Sequence, residues 1–336
     1  MNHLIPNHIA YDLVMLGLSI SLLVLAIILF LYCKKKPVES EEALPVKICA
    51  RSYPLTDIDA ATDSFSHRRI VGKGRLGTVY AGLLDKENLV AVKRIHPSLV
   101  LSNAGLGFSS VMKWLSSAQH PNIVPITGFS EAAGERIIVS EFVRMVSLDF
   151  YLHQNPSGAS LLDWTKRLRI AAGAARGLQY LHEVVAPTIV HGCVKSSNIL
   201  IDVNFCARIS DYGLNFLAPN KEKRGIVGYV DEEYWDQKLG GACKESDVYG
   251  LGVVLLEVLS GRSCEEGLLV KWAVPLIKAM RYGEVLDPRL VIPSDLKPLV
   301  RLAKVALACV GNTRKCRPSI AHVATILNNL QIEVCM

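Results

Sequence analysis

The chain has 336 residues, half of them hydrophobic and a fifth charged, with a formal net charge of +6. That length accommodates one domain of about 250–270 residues with appendages, and that composition excludes a mainly disordered chain. The mild charge comes without a long basic run interleaved with aromatics, which argues against nucleic acid as a partner. The nine cysteines show neither C-x-x-C nor zinc-type C…H spacing, which argues against a disulfide or metal framework.

The first feature along the chain is an uncharged apolar run of 20 residues, Leu13 to Tyr32, bounded by Asp12 and by Lys34-Lys35-Lys36. At ~1.5 Å per residue it matches a ~30 Å hydrocarbon core, and the positive-inside bias puts the lysines and everything after them in the cytosol. A cleaved signal peptide is the competing reading. It would need a basic start and a small-residue exit, and neither residues 1–12 nor Tyr32-Cys33-Lys34 supply them. The expected organisation is a short external segment (1–12), a membrane-spanning helix (13–32), a juxtamembrane linker (33–64) and one large domain (65–332). A dozen external residues are too few to build a core.

Thr56-Asp57-Ile58-Asp59 reads as an N-cap followed by a short helix ending near Ser64. From Arg69 the pattern becomes β-branched segments separated by Gly, Asp and Asn: Ile70-Val71, Thr78–Ala81, Leu89–Val92 and Ile137–Val139. The second half is helical. Asp163 is placed to cap Trp164–Glu183, where Leu168, Ala171, Ala175, Leu178 and Leu181 share a face. Asp247 precedes Val248–Leu259, a run apolar but for Glu257 that reads as a buried central helix stopped by Gly261, and Ser319 is placed to cap a last helix.

Gly72-Lys73-Gly74-Arg75-Leu76-Gly77-Thr78-Val79 is a G-x-G-x-x-G-x-V loop. Alone it is a weak signal, shared with dinucleotide folds. Here a strand ending in Ala91-Val92-Lys93 follows, with no helix directly after the last glycine, which is the context of a hairpin over phosphates.

Further motifs follow in order: Ala60-Ala61-Thr62…Phe65, Leu162-Asp163-Trp164…Arg176-Gly177-Leu178-Gln179-Tyr180-Leu181-His182, Lys195-Ser196-Ser197-Asn198-Ile199-Leu200, Asp211-Tyr212-Gly213, Ser246-Asp247-Val248-Tyr249-Gly250 and Arg317-Pro318-Ser319. On these residues the chain, from Ser64 to about Gln331, resembles the plant receptor-like kinases. The resemblance implies an α+β, two-lobed protein-kinase fold. Its N-lobe (65–143) would be a small antiparallel sheet with one helix, and its C-lobe (144–332) would be helical. It further implies that Gly72, Gly74 and Gly77 cover the phosphates of ATP, that Val79, Ala91, Glu141 and Val143 frame the adenine, that Lys93 binds the α/β-phosphates, and that Asn198 and Asp211 hold Mg²⁺.

The departures from that family carry the functional expectation. His191-Gly192-Cys193 stands where the family reads His-Arg-Asp, so Cys193 replaces the aspartate that accepts the substrate hydroxyl proton, with Lys195 as the residual neighbour. A small cysteine filling the vacated space is the default role for it, ahead of a nucleophile or redox switch. Val111 stands where the family's helix supplies a glutamate to the lysine, and no Asp or Glu occurs from Arg94 to Ser130; Lys93 is then expected to turn to Asp211 or to the nucleotide. The segment Gly213 to Gly228 holds no Ser, Thr or Tyr to phosphorylate. Ile226 replaces a threonine that bonds to the catalytic aspartate in the family, and Ala-Pro-Glu has become Asp231-Glu232-Glu233, with Glu233 expected to pair with Arg317.

The expectation is a single-pass receptor-like pseudokinase at the plasma membrane, binding ATP and Mg²⁺. It would serve as scaffold or allosteric partner for active membrane receptor kinases or other signalling proteins. Two alternatives stay open: a serine/threonine kinase of low activity, and a pseudokinase that binds no nucleotide.

Overall fold

The computed structural model describes residues 15–27, 50–85, 87–102, 107–144, 146–154, 162–218, 225–236, 240–264 and 267–335. The chain divides into two units, Met1–Lys47 and Ile48–Met336. In the first, residues 15–27 form helix α1, with its side chains exposed. The ends of the expected membrane span, at 13–14 and 28–32, lie outside the described residues. Among the described residues no helix is long and apolar enough to cross a membrane.

The second unit begins with a six-stranded sheet in the order β1-β5-β6-β4-β3-β2. The strands are β1 (Arg51–Ser52), β2 (Ile70–Lys73), β3 (Gly77–Leu84), β4 (Asn88–Ile95), β5 (Ile126–Ala132) and β6 (Glu135–Glu141). The four strands read from sequence are present and longer than their apolar centres, because the pairing extends to their polar ends. The sheet is not purely antiparallel as expected, since β1 pairs in parallel with β5.

Strand alternation sorts the residues of β3 and β4 onto two faces. Val79 stands opposite Lys93 and Ala81 opposite Ala91, all half-buried on one face. Tyr80, Val90 and Val92 point to the other, where Ile58 and Ala61 of helix α2 (Leu55–Ala61) close a small core. Thr56 lies inside α2 rather than capping it. The cap residue is Pro54, with no side-chain bond, and the fixed φ of proline starts the helix instead. Helices α3 (Pro97–Ser102) and α4 (Phe108–Leu115) complete this lobe, so the described residues of 65–143 carry two α-helices rather than one, beside the short helix expected before them. Glu131, from the end of β5, accepts from the Ser109 backbone N–H at 3.2 Å and places a carboxylate on the N-terminus of α4.

The larger lobe holds α5 (Trp164–Gln179), α6 (Lys244–Ser260), α7 (Leu268–Lys278), α8 (Lys297–Cys309) and α9 (Ile320–Cys335), with a two-stranded ladder of β7 (Ile199–Ile201) and β8 (Ala207–Ile209). Asp163 caps α5 by accepting from Lys166 N at 2.8 Å, as the sequence implies. The expected single helix to Glu183 changes pitch at Tyr180, and Tyr180–Val184 is π-helical. Helix α6 is buried along nearly its whole length and ends at Gly261, whose φ of +65° only glycine adopts without strain. It starts earlier than expected. Cys243 and Ser246 cap each other's backbone N–H at 3.3 and 2.9 Å, which leaves Asp247 inside the first turn and free to face the loop below.

Candidate functional site

The loop from His191 to Asn198 joins the core of the large lobe to β7, and Asp247 holds it. Its carboxylate accepts from His191 N at 2.7 Å, Gly192 N at 2.8 Å and the His182 ring at 2.9 Å, all buried. Gly192 has φ +80°, and a Cβ there would come within 2.8 Å of Asn215, so an arginine in its place would need this turn rebuilt. The His191 ring accepts from Cys193 N at 3.3 Å through Nδ1, and burial holds its pKa below the ordinary histidine value, so it stays neutral.

Beyond the loop, Asn198 and Asp211 face each other across the β7–β8 ladder. The Asn198 carbonyl accepts from Ser210 N at 2.9 Å and from its hydroxyl at 3.0 Å. Asn198 Nδ2 donates to the Cys193 carbonyl at 3.0 Å, which commits the amide nitrogen and leaves its oxygen uncommitted among the described residues. Asp211 sits at φ +63° and Gly213 at +69°; a Cβ on Gly213 would lie 2.4 Å from Leu115, so α4 packs directly on this turn.

Lys93 Nζ donates to both carboxylate oxygens of Asp211. Burial alone would raise the Asp211 carboxyl, but the Lys93 ammonium, aided by Lys195, holds it below the ordinary range. The lysine therefore finds the first partner expected of it. Val111, where a glutamate was missed, is half-buried and packs against the apolar core.

The glycine loop turns back on its own backbone and is tied to the residue that follows β4. Gly74 N donates to Gly77 O at 2.9 Å, and His96 bonds Gly74 O at 3.1 Å. A Cβ on Gly77 would stand 2.0 Å from the Arg94 carbonyl, so no other residue fits, whereas Gly72 and Gly74 meet nothing closer than 4.0 Å. A Cβ on Gly225 would come within 4.0 Å of Arg75 and 3.8 Å of Lys195 Nζ, which bonds Gly225 O at 3.1 Å. Ala91 and Val143, expected to frame an adenine, are half-buried. Glu141 bonds Arg208 at 2.7 Å, a link that tethers the strand end to β8 and that the sequence did not reveal.

The other end of the loop is apolar. Cys193 packs with Ile226, Val230 and Tyr234, and burial pushes its thiol up despite Lys195 and Arg75. One expected pair is corrected here. Arg317 Nη1 donates to Asp231 at 2.5 Å, not to Glu233. Glu233 is exposed and accepts the Arg314 backbone N–H at 2.8 Å. Asp231 wins because its shorter side chain also caps the following 3₁₀ turn, accepting from Tyr234 N at 2.7 Å, and so stays buried beside the guanidinium.

A sheet lobe and a helical lobe, closing on a glycine loop, a strand lysine and an aspartate turn, define the protein-kinase class of fold. The comparisons agree. The family model for protein tyrosine and serine/threonine kinase matches residues 65–327, and the chain belongs to this family, among the plant receptor-like kinases. It is 35% identical to the leucine-rich repeat receptor protein kinase EMS1 of Arabidopsis thaliana, over 87% of this chain and 26% of that protein. It is 36% identical to the nodulation receptor kinase of Pisum sativum, over 85% and 32%. The chain thus spans about a quarter to a third of the length of these two relatives. With the probable serine/threonine-protein kinase PBL6 of Arabidopsis thaliana it shares 35% identity over 84% and 69%. Among solved structures, the pseudokinase domain of BIR2, an immune regulator of the RLK/Pelle family, superposes with a TM-score of 0.71 at 34% identity, covering 83% of this chain and 86% of that one.

The family uses ATP with Mg²⁺. The donor set here fits those groups in kind: a lysine ammonium for phosphate, and a carboxylate with an uncommitted amide oxygen for a hard cation. The Lys93–Asp211 bond is the one feature that must open for them.

Proposed function

We propose that this chain is a receptor-like pseudokinase, with a kinase-family domain over about 65–332 that binds ATP and Mg²⁺ but does not transfer phosphate at an enzymatic rate. It acts as a scaffold or allosteric partner of active membrane receptor kinases. The observation that carries this reading is the surroundings of Cys193: where an incoming hydroxyl has to give up its proton there is a protonated thiol packed against Ile226, Val230 and Tyr234, with no carboxylate in that cluster among the described residues. Loss of a positioned base costs about 10²–10⁴-fold in rate.

In this reading Lys93 would bind the phosphates, and Asp211 and Asn198 would hold Mg²⁺. Gly72, Gly74 and Gly77 would lie over the phosphates, while Val79, Ala91, Glu141 and Val143 would line the adenine side. Bound ATP would supply the phosphoryl group that the family transfers. This chain's own residues do the binding and orienting, and none takes up the proton. The span 13–32 would anchor the domain, which raises its effective concentration toward other membrane-held partners without any new contact.

The test uses the full chain in detergent. Melting with and without ATP and Mg²⁺ should show a shift that Lys93→Ala abolishes. Radiolabelled transfer to itself or a peptide should not exceed the Asp211→Asn background. Transfer at an ordinary kinase rate, lost in Asp211→Asn, would overturn the proposal.

A further inference from the structure

A cavity of about 670 Å³ lies on a face that neither Lys93, Asp211 nor Cys193 lines. It opens between the 119–127 segment, α5 and the β7–β8 turn. Its charge is unbalanced in a specific way. Arg176 is half-buried, yet its partners are all neutral amide oxygens: Asn122 at 3.1 Å, Asn328 at 2.6 Å and Gln331 at 3.1 Å. Burial accordingly lowers its pKa, with no carboxylate opposing. A guanidinium stays charged even so, and its Nη2 makes no bond to the described residues.

Arg208 lines the same cavity. Its Nε is taken by Ile123 O at 3.2 Å and its Nη2 by Glu141 at 2.7 Å, while Nη1 is uncommitted. His120 accepts from Asn122 N at 3.0 Å through Nδ1, which leaves the proton on Nε2 as a further donor. The one acid among the lining residues, Asp202, accepts from Asn204 N and Cys206 N at 2.9 Å each, both through Oδ1, which orients its carboxylate toward its own turn but leaves its charge in place. Donors of two arginines and a histidine that make no bond to the described residues thus line a cavity with one carboxylate; Arg208 is paired with Glu141 from outside it, and Arg176 is the guanidinium with no carboxylate partner among the described residues. Forked guanidinium donors suit a tetrahedral oxyanion in particular. Pro121, Pro125 and Ile126 supply an apolar wall for whatever carries it.

We propose that the cavity lined by Arg176, Arg208 and His120 binds a phosphate monoester. Its source is either a small free phosphate ester or a phosphorylated side chain. Cys206, half-exposed on the rim, reports occupancy, and exposed Cys316 serves as the internal reference.

Alkylation of the full chain by iodoacetamide, read peptide by peptide, is followed against inorganic phosphate, glycerol 2-phosphate and a phosphoserine peptide, with chloride at matched ionic strength. Phosphate-bearing probes should slow modification of Cys206 and not of Cys316. Equal protection by inorganic phosphate and glycerol phosphate assigns a free anion, and tighter protection by the peptide assigns a phosphorylated protein. Arg208→Gln, which removes a charge-assisted donor, should weaken the apparent affinity about tenfold. Gln119→Glu adds a negative charge at the exposed rim without touching an internal side-chain bond and should also weaken it. It guards against a variant that misfolds. Protection no greater than with chloride, or affinity unchanged in both variants, overturns the proposal.

Discussion

The two ends of the cleft are built by opposite chemistry although the same eight residues, His191 to Asn198, serve both. At one end, Asp211 is bonded to Lys93 and the Asn198 amide to the Cys193 carbonyl. At the transfer end, Cys193 and Ile226 have joined a small apolar cluster with Val230 and Tyr234. An aspartate at position 193 would need a polar neighbour, and an isoleucine at 226 would deny it one; changed together, the two positions satisfy each other. A chain losing function at random would not tend to repair the packing at one end while keeping the charge pairing at the other. The difference teaches how packing at one end of the cleft and charge pairing at the other can each be satisfied within one loop, which is what the proposed function requires of it.

Both ends hang from a shared frame, and breaking that frame should erase the contrast. Asp247→Ala removes the acceptor for two buried backbone N–H groups and the His182 ring. Orphaned buried donors of this kind add up to a loss of about 3–5 kcal/mol. Denaturant unfolding should show it, together with loss of any nucleotide-induced stabilisation. A loss under about 1 kcal/mol would mean that the loop is held otherwise.

The apolar end alone is broken at Asp231. Its removal leaves the Arg317 guanidinium, whose Nη2 has no partner among the described residues, buried without its carboxylate at a cost of about 3 kcal/mol, whereas Glu233→Ala should cost about 1 kcal/mol or less. Equal effects in the two variants would restore the pairing that the family pattern suggests.

That pair also marks the limit of what the sequence made legible. Motif order located the glycine loop, Lys93, Asn198 and the Asp211 turn, because backbone requirements and charge at fixed spacing are local. The lack of any acid from Arg94 to Ser130 left Asp211 or the nucleotide as the partner of Lys93, and Asp211 is the one found. It assigned Arg317 to Glu233 because position in a motif says nothing of which carboxylate stays buried. β5 went unread because Gly128 and a register shift interrupt its alternation, and a Cβ at Gly128 would strike Tyr53 at 2.4 Å. α7 carries Pro275 in its interior, a breaker signal that tertiary packing of Leu269, Ala273 and Ile277 overrides. The cavity around Arg176 joins residues from three distant stretches, and no spacing announces it.

Restoring the missing carboxylate sharpens the comparison further. Cys193→Asp would place a carboxylate among Ile226, Val230 and Tyr234, which should destabilise the domain by about 1–3 kcal/mol and yield no phosphate transfer. Adding Ile226→Thr supplies a hydroxyl partner and should recover part of that stability; Val111→Glu should be needed as well before any transfer appears. Activity from Cys193→Asp alone would show that the apolar end is a passive gap rather than an incompatible surface.

The smallest effect expected is a pH dependence at the polar end. Lys93 holds the Asp211 carboxyl below its unfolded value of about 3.9, so the native state takes up that proton later than the unfolded chain does. The contribution is therefore fully present above about pH 5 and is lost as pH falls through the native-state value. Melting temperatures of the wild type and Asp211→Asn should differ by a constant amount from neutral pH to about 5 and then converge in acid. Because the same carboxylate is the proposed Mg²⁺ ligand, the convergence should be seen without nucleotide, where Lys93 alone neutralises it. Curves that stay parallel down the acid limb would mean that the pair holds no net charge stabilisation, and that the lysine is available to a phosphate at no cost.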